Sequence, residues 1–163
     1  MSFSDNKCKM IRTLSFVIAV LFILIFTIFR NTTLLEKQKV FIPFKAIFTL
    51  CSVGWGGHGK YIAWGLLANI LLFIPLGFAL FQNNRERWKI IIPFLISLTV
   101  ETIQYYTRLG TFEVDDLICN TLGGLLGYEL GKQISGQRKG NFIIPSIYLA
   151  ALGLCCLKSI LFN

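Results

Sequence analysis

The chain reads as all-α: a polytopic membrane helical bundle of about five transmembrane helices. Three observations lead there. Hydrophobic residues make up 55% of the 163 residues, and mean hydropathy is +0.66. Charged residues are 15%, where a soluble domain carries about a quarter. The apolar residues are also gathered into separated runs, each near the ~20 residues that a spanning helix needs. A single domain, 1–163, accounts for the whole sequence, because no stretch has the composition of a soluble domain.

The first span is Ile11 to Phe29, with Arg12, Thr13, Ser15 and Thr27 as its polar residues. Its basic start (Lys7, Lys9, Arg12) also fits a signal peptide. However, its apolar run is longer than a signal core and no A-x-A-like cleavage site follows, so it is expected to stay as an anchor. The connection from Arg30 to Lys60 holds Val40-Phe-Ile-Pro-Phe44, too apolar for a solvated linker. It is expected to lie at the membrane surface or to fold back onto the helices. The glycine-rich run from Gly54 to Gly59 is a flexible turn with an interfacial Trp55. It lacks the lysine and hydroxyl of a phosphate loop.

The second span is Tyr61 to Phe81, with Asn69 inside and Pro75 towards its end. The third runs from Ile90 to about Tyr106 and carries Glu101 and Gln104. The fourth, about Asp116 to Ile134, is short and glycine-rich. The fifth is Phe142 to Phe162. The short basic clusters Arg85-Glu-Arg-Trp-Lys89 and Lys132 to Lys139 belong on the cytoplasmic side by the positive-inside rule. This gives a multi-pass cell-membrane protein with a cytoplasmic N-terminus and an extracellular C-terminus. The net charge of +8 is explained by basic flanks beside anionic lipid and calls for no nucleic acid.

Cys8, Cys51, Cys119, Cys155 and Cys156 show no metal-ligand spacing, and His58 is the one histidine. No zinc site and no cofactor is expected. Asn31-Thr-Thr33 matches a glycosylation acceptor but abuts the membrane.

The chemistry concentrates between Glu101 and Gly131. On a helix, Glu101, Gln104 and Arg108 fall at i, i+3 and i+7 and share one face. That face cannot look at lipid with Glu101 unsatisfied, so it looks at other helices or a watery recess. Gln104 and Arg108, one turn apart, could bind one carboxylate or phosphate. In the fourth span Asp116, Asn120, Gly123, Gly127 and Gly131 cluster on one side. The glycines admit a neighbouring backbone, as small-residue repeats do in membranes. Asp115 or Asp116 can cap this helix. Asn69 could complete the cluster. The ligand-binding candidates are therefore Asn69, Glu101, Gln104, Arg108, Asp115, Asp116 and Asn120, with Gly123, Gly127 and Gly131 as packing positions. The plainer reading is that these polar groups only glue helices together, in bonds averaging about 0.6 kcal/mol.

The run Asn69-Ile-Leu-Leu-Phe-Ile-Pro-Leu-Gly-Phe78, then Glu101-x-x-Gln104, then Asp115-Asp116-Leu-Ile-Cys-Asn120-Thr-Leu-Gly-Gly124-x-x-Gly127 resembles the VanZ family, and Val40-Phe-Ile-Pro-Phe44 resembles its Pro-Phe motif. The likeness covers about Val40 to Gly131. It implies a small membrane protein of the kind that accompanies glycopeptide-resistance operons. The family's namesake is associated with tolerance to the lipid-tailed drug teicoplanin. No settled chemistry comes with the family.

Three functions stand. The first is non-enzymatic binding of an amphipathic cell-envelope molecule: a membrane lipid, a lipid-linked envelope precursor or a lipoglycopeptide. The second is a metal-dependent enzyme acting on lipid headgroups, with Glu101, Glu113, Asp115 and Asp116 holding Mg²⁺. The third is a structural subunit whose glycine face docks a partner, including a second copy in a homo-oligomer.

Overall fold

In a computed structural model, residues 3–29, 39–83, 85–108 and 110–134 are described. The order is α1 (Phe3–Phe29), β1 (Lys39–Val40), α2 (Lys45–Val53), α3 (Gly57–Gln82), a 3-10 turn at Glu86–Trp88, α4 (Ile91–Thr107), β2 (Phe112–Glu113) and α5 (Val114–Ile134). The first four expected spans correspond to α1, α3, α4 and α5; α1 begins at Phe3 rather than Ile11, and the other ends move by a few residues. The expected fifth span, Phe142 to Phe162, lies outside the described residues, as do Asn31 and the C-terminus.

The core forms where apolar side chains repeat at helical spacing. Ala19 and Ile23 of α1 meet Leu72, Phe73, Leu76 and Phe78 of α3 and Val100 of α4. Pro75 lies inside α3 and removes one backbone donor, yet the helix runs on through it. The closest packing is between α3 and α5. A Cβ on Gly123 would come 2.1 Å from the Ile70 carbonyl oxygen, and one on Gly127 would come 1.9 Å from that of Ile74. A Cβ on Gly77 would come 1.8 Å from the Gly124 oxygen. The partner numbers rise together, so α3 and α5 run parallel. At Gly131 the neighbour is the Phe81 ring, 2.9 Å from such a Cβ. That ring stands edge-on to Tyr128 with centroids 5.5 Å apart.

The α4 helix runs antiparallel to α5. Pro93 lies against Gly124, Ser97 against Asn120, and Lys89 pairs with Glu129 at 2.9 Å. Solvent screens this partly exposed ion pair, so it contributes little to stability.

Two helices are long and apolar enough to cross a membrane among the described residues: His58–Gln82 (25 residues, mean hydropathy 2.1) and Glu86–Thr107 (22 residues, 1.3). Two of the expected spans, the second and the third, pass that test among the described residues. The apolar stretch of α1, Thr13–Ile25, is shorter. In α5 the two aspartates, Asn120, Glu129 and the glycines dilute its apolar content.

The connection before α3 takes the second of its two expected courses and gains a short strand and a helix. It folds back on the bundle: β1 pairs in parallel with β2, Lys39 opposite Phe112 and Val40 opposite Glu113. Phe41 and Phe112 bring their rings to 5.9 Å. The α2 helix follows. His58 and Gly59 belong to the start of α3 rather than to a turn, and Gly59 is buried against the Gly54 carbonyl.

Candidate binding recess

A recess of about 230 Å³ opens where the start of α3, the end of α4 and the start of α5 meet. One face of α3 supplies Ile62, Gly65, Leu66 and Asn69; α4 supplies Gln104; the following turn supplies Gly110, Thr111 and Glu113. Asp116 of α5 and Ala46 of α2 complete the lining. A water occupies about 30 Å³ of the liquid, so the space suits a small polar headgroup. One wall is apolar. The rest presents two carboxylates, two amides and a hydroxyl. Asn69 and Gln104 are buried.

Among the sequence candidates, Asn69, Gln104 and Asp116 meet in this recess. Glu101 stands beside it, 2% exposed, and its Oε2 accepts the Glu113 backbone N–H at 3.1 Å. That bond ties α4 to β2, the strand that carries a lining carboxylate.

Asp115 does other work. It is buried, and it accepts the Phe44 N–H on Oδ1 and the Ala46 N–H on Oδ2, the latter at 2.7 Å. It thus caps α2 across the chain instead of its own helix. The start of a helix carries unpaired donors and a partial positive charge, both matched by a carboxylate. Asn120 turns towards α4, where its Nδ2 donates to Ser97 Oγ at 2.8 Å, and its buried Oδ1 has no hydrogen-bond partner among the described residues.

Arg108 is not in the recess. The α4 helix ends at Thr107, and Arg108 adopts the left-handed conformation (φ 61°) as its cap, its N–H bonded to the Gln104 carbonyl. The side chain is exposed. The shared face with Glu101 and Gln104 required the helix to continue through 108, and the left-handed residue stops it.

The four acids of the alternative metal-enzyme reading form no metal-binding group among the described residues. Among the described residues no group of three or more His, Cys, Asp or Glu side chains could hold a metal ion. The glycine face expected to dock a partner is filled by α3 of the same chain at Gly123 and Gly127.

Thr111, Gly65 and Ala46 were not among the candidates, and Glu113 was named only as a metal ligand of the enzyme alternative. Ile62, Gly65, Leu66 and Asn69 recur at three, one and three residues, a readable helical face. Ala46 and Thr111 enter through contacts distant in sequence, which local periodicity cannot reveal.

A helical bundle with a buried glycine seam and a polar recess at one end is thereby defined. The VanZ/LLP1 family model matches residues 16–134, and the chain belongs to that family. It is also similar to Protein VanZ of Enterococcus faecium, with 34% identity over 95 residues, or 55% of this chain. The match spans 59% of that relative's length. No solved structure matches.

Proposed function

We propose that this protein is a membrane-embedded, non-enzymatic binding protein that takes the head of an amphipathic cell-envelope molecule into the recess and so contributes to tolerance of glycopeptides such as teicoplanin. The observation that carries this reading is the recess itself, polar on most of its lining and walled on one side by Ile62 and Leu66.

The bundle's outside supports the membrane part. Leu14, Leu21 and Ile25 of α1, Trp64 and Leu67 of α3, Phe94 and Leu95 of α4, and Leu122, Leu126 and Leu130 of α5 are all exposed. Apolar surface on every long helix is what lipid contact requires and what water penalises. The five-span arrangement, cytoplasmic N-terminus and extracellular C-terminus belong to the same proposal. The end carrying Arg85, Arg87, Lys89 and Lys132 would face the cytoplasm. The recess, at the opposite end of α3, α4 and α5, would then open near the outer leaflet.

The lining also sets the ligand's charge. Glu113 and Asp116 line the recess, and none of the described lining residues is basic. An ammonium or hydroxyl-rich head is matched there, and an anionic head is repelled. The earlier anion role of Arg108 and Gln104 therefore gives way. The test is Asp116→Asn in cells challenged with a lipoglycopeptide, with membrane abundance measured in parallel. The wild-type chain is expected to raise tolerance and the variant to lose it at normal abundance. Full tolerance in the variant would refute the recess as the working site.

A further inference from the structure

We propose that α2 is a gate over the recess, hinged at Gly54 and latched by the Asp115 carboxylate. The proposal rests on the recess reading in one respect, that the recess is where a ligand enters.

Four observations carry it. The first turn of α2 contributes Ala46 to the lining, so moving that end of the helix changes the mouth. Second, α2 is nine residues long and contains no buried residue. Ile47, Phe48 and Val53 are exposed. A helix of that length does not hold itself together in water, and one with only Ala46, Thr49 and Leu50 half-buried is held weakly by packing.

Third, among the described residues the hydrogen bonds that tie it to the rest of the chain lie at one end, while at the other Leu50 and the Gly54 carbonyl rest against Gly59 as a pivot. Asp115 takes the Phe44 and Ala46 amides from 71 and 69 residues along the chain. The two-residue β1–β2 pairing and the Phe41–Phe112 contact lie just before it. At the other end Gly54 has φ 68°, and nothing stands within 4 Å of where its Cβ would be. Fourth, Phe44 at the latch is itself left-handed, with φ 61°. A bulky residue held there is strained and relaxes when released. Charge-assisted bonds hold the gate closed, local strain favours opening, and a glycine swivel allows the N-terminal end of α2 to swing outward.

The test uses the full chain in membrane vesicles with Cys8, Cys51, Cys119, Cys155 and Cys156 replaced. Leu66→Cys reports on the recess and Ala79→Cys on the closed core, each by its rate of reaction with a water-soluble maleimide. Asp115→Asn puts an amide where two backbone donors need acceptors. It is expected to speed labelling at position 66 by about tenfold, from the weakening of bonds to a charged acceptor, and to leave position 79 unreactive. Phe41→Ser loosens the same end without touching the carboxylate; it should give a smaller increase and serves if Asp115→Asn does not fold. An unchanged rate at 66, or equal rises at 66 and 79, overturns the gate. No ligand is used, so a failed gate leaves the binding reading standing, and a recess that binds nothing leaves the gate standing.

Discussion

The helices α3 and α5 build two regions of opposite design within one turn of each other. From Ile70 onward they touch backbone to backbone at Gly123, Gly127 and Gly77, with no room for a methyl group. One residue earlier, Asn69 faces a recess of about 230 Å³ shared with Asp116. The seam is close-packed, regular and made of carbonyls against glycines. The recess is polar, irregular and partly roofed by a helix with no fully buried residue. Close contact fixes the distance between two helices, and a side chain in place of glycine would reset it. The recess can therefore keep a defined width without packing of its own, because the seam below sets the spacing of its walls.

The strongest way to break that relation is at the seam. Gly127→Leu is expected to cost about 3 kcal/mol or more, since the side chain would have to displace backbone rather than a flexible neighbour. Folded yield in detergent measures it. Gly56→Leu is the control, because nothing lies within 4 Å of its Cβ and its φ is −63°. Gly54, an exposed turn position on sequence grounds, would be a poor control. Its φ of 68° strains any side chain placed there. Equal yields for the Gly127 and Gly56 variants would remove the seam from the argument.

The next effect tests what braces the recess. Glu101→Ala leaves the Glu113 N–H without its carboxylate acceptor, at a cost of about 2 kcal/mol. Glu101→Gln keeps an acceptor oxygen and is expected to cost less than about 1 kcal/mol. Thermal unfolding of both variants gives the comparison. In the tolerance assay Glu101→Gln should lose activity at normal abundance. A carboxylate in an apolar span is expensive, and an amide would have served the brace. Full activity in Glu101→Gln would make Glu101 a structural brace alone.

What was legible in the sequence follows the same division. The helices of the seam were readable, because apolar runs and the four-residue glycine spacing are local patterns with one physical meaning. Asn69, Gln104 and Asp116 were readable as polar residues that helical periodicity puts on inward faces. The roof was not. The N-terminal donors of α2 are satisfied by Asp115, far along the chain, and its own entry residue is a left-handed phenylalanine. Neither is a signal that a window of sequence carries. The β1–β2 pairing is nonlocal in the same way. Arg108 misled for a related reason: spacing alone treats a helix as continuing, and its last residue is set by a backbone conformation that arginine rarely adopts.

The smallest expected effect sharpens the boundary between the two regions. Arg108 holds φ 61° and ψ 21° as the cap of α4, a conformation that costs an L-residue about 1–2 kcal/mol and costs glycine almost nothing. If Arg108 serves to end the helix, Arg108→Gly should leave tolerance intact and match or exceed the wild-type melting temperature. The gain is bounded at about 1 kcal/mol, because glycine also frees the unfolded chain. Arg108→Lys keeps the charge and the strain, so it should change neither. If the guanidinium instead binds an anionic group at the mouth, both variants should weaken binding, since lysine cannot reproduce the forked donor. Loss of tolerance in both at normal abundance would return Arg108 to the site and reverse the sign of charge assigned to the ligand. Retention in both leaves the recess to Asn69, Gln104, Glu113 and Asp116.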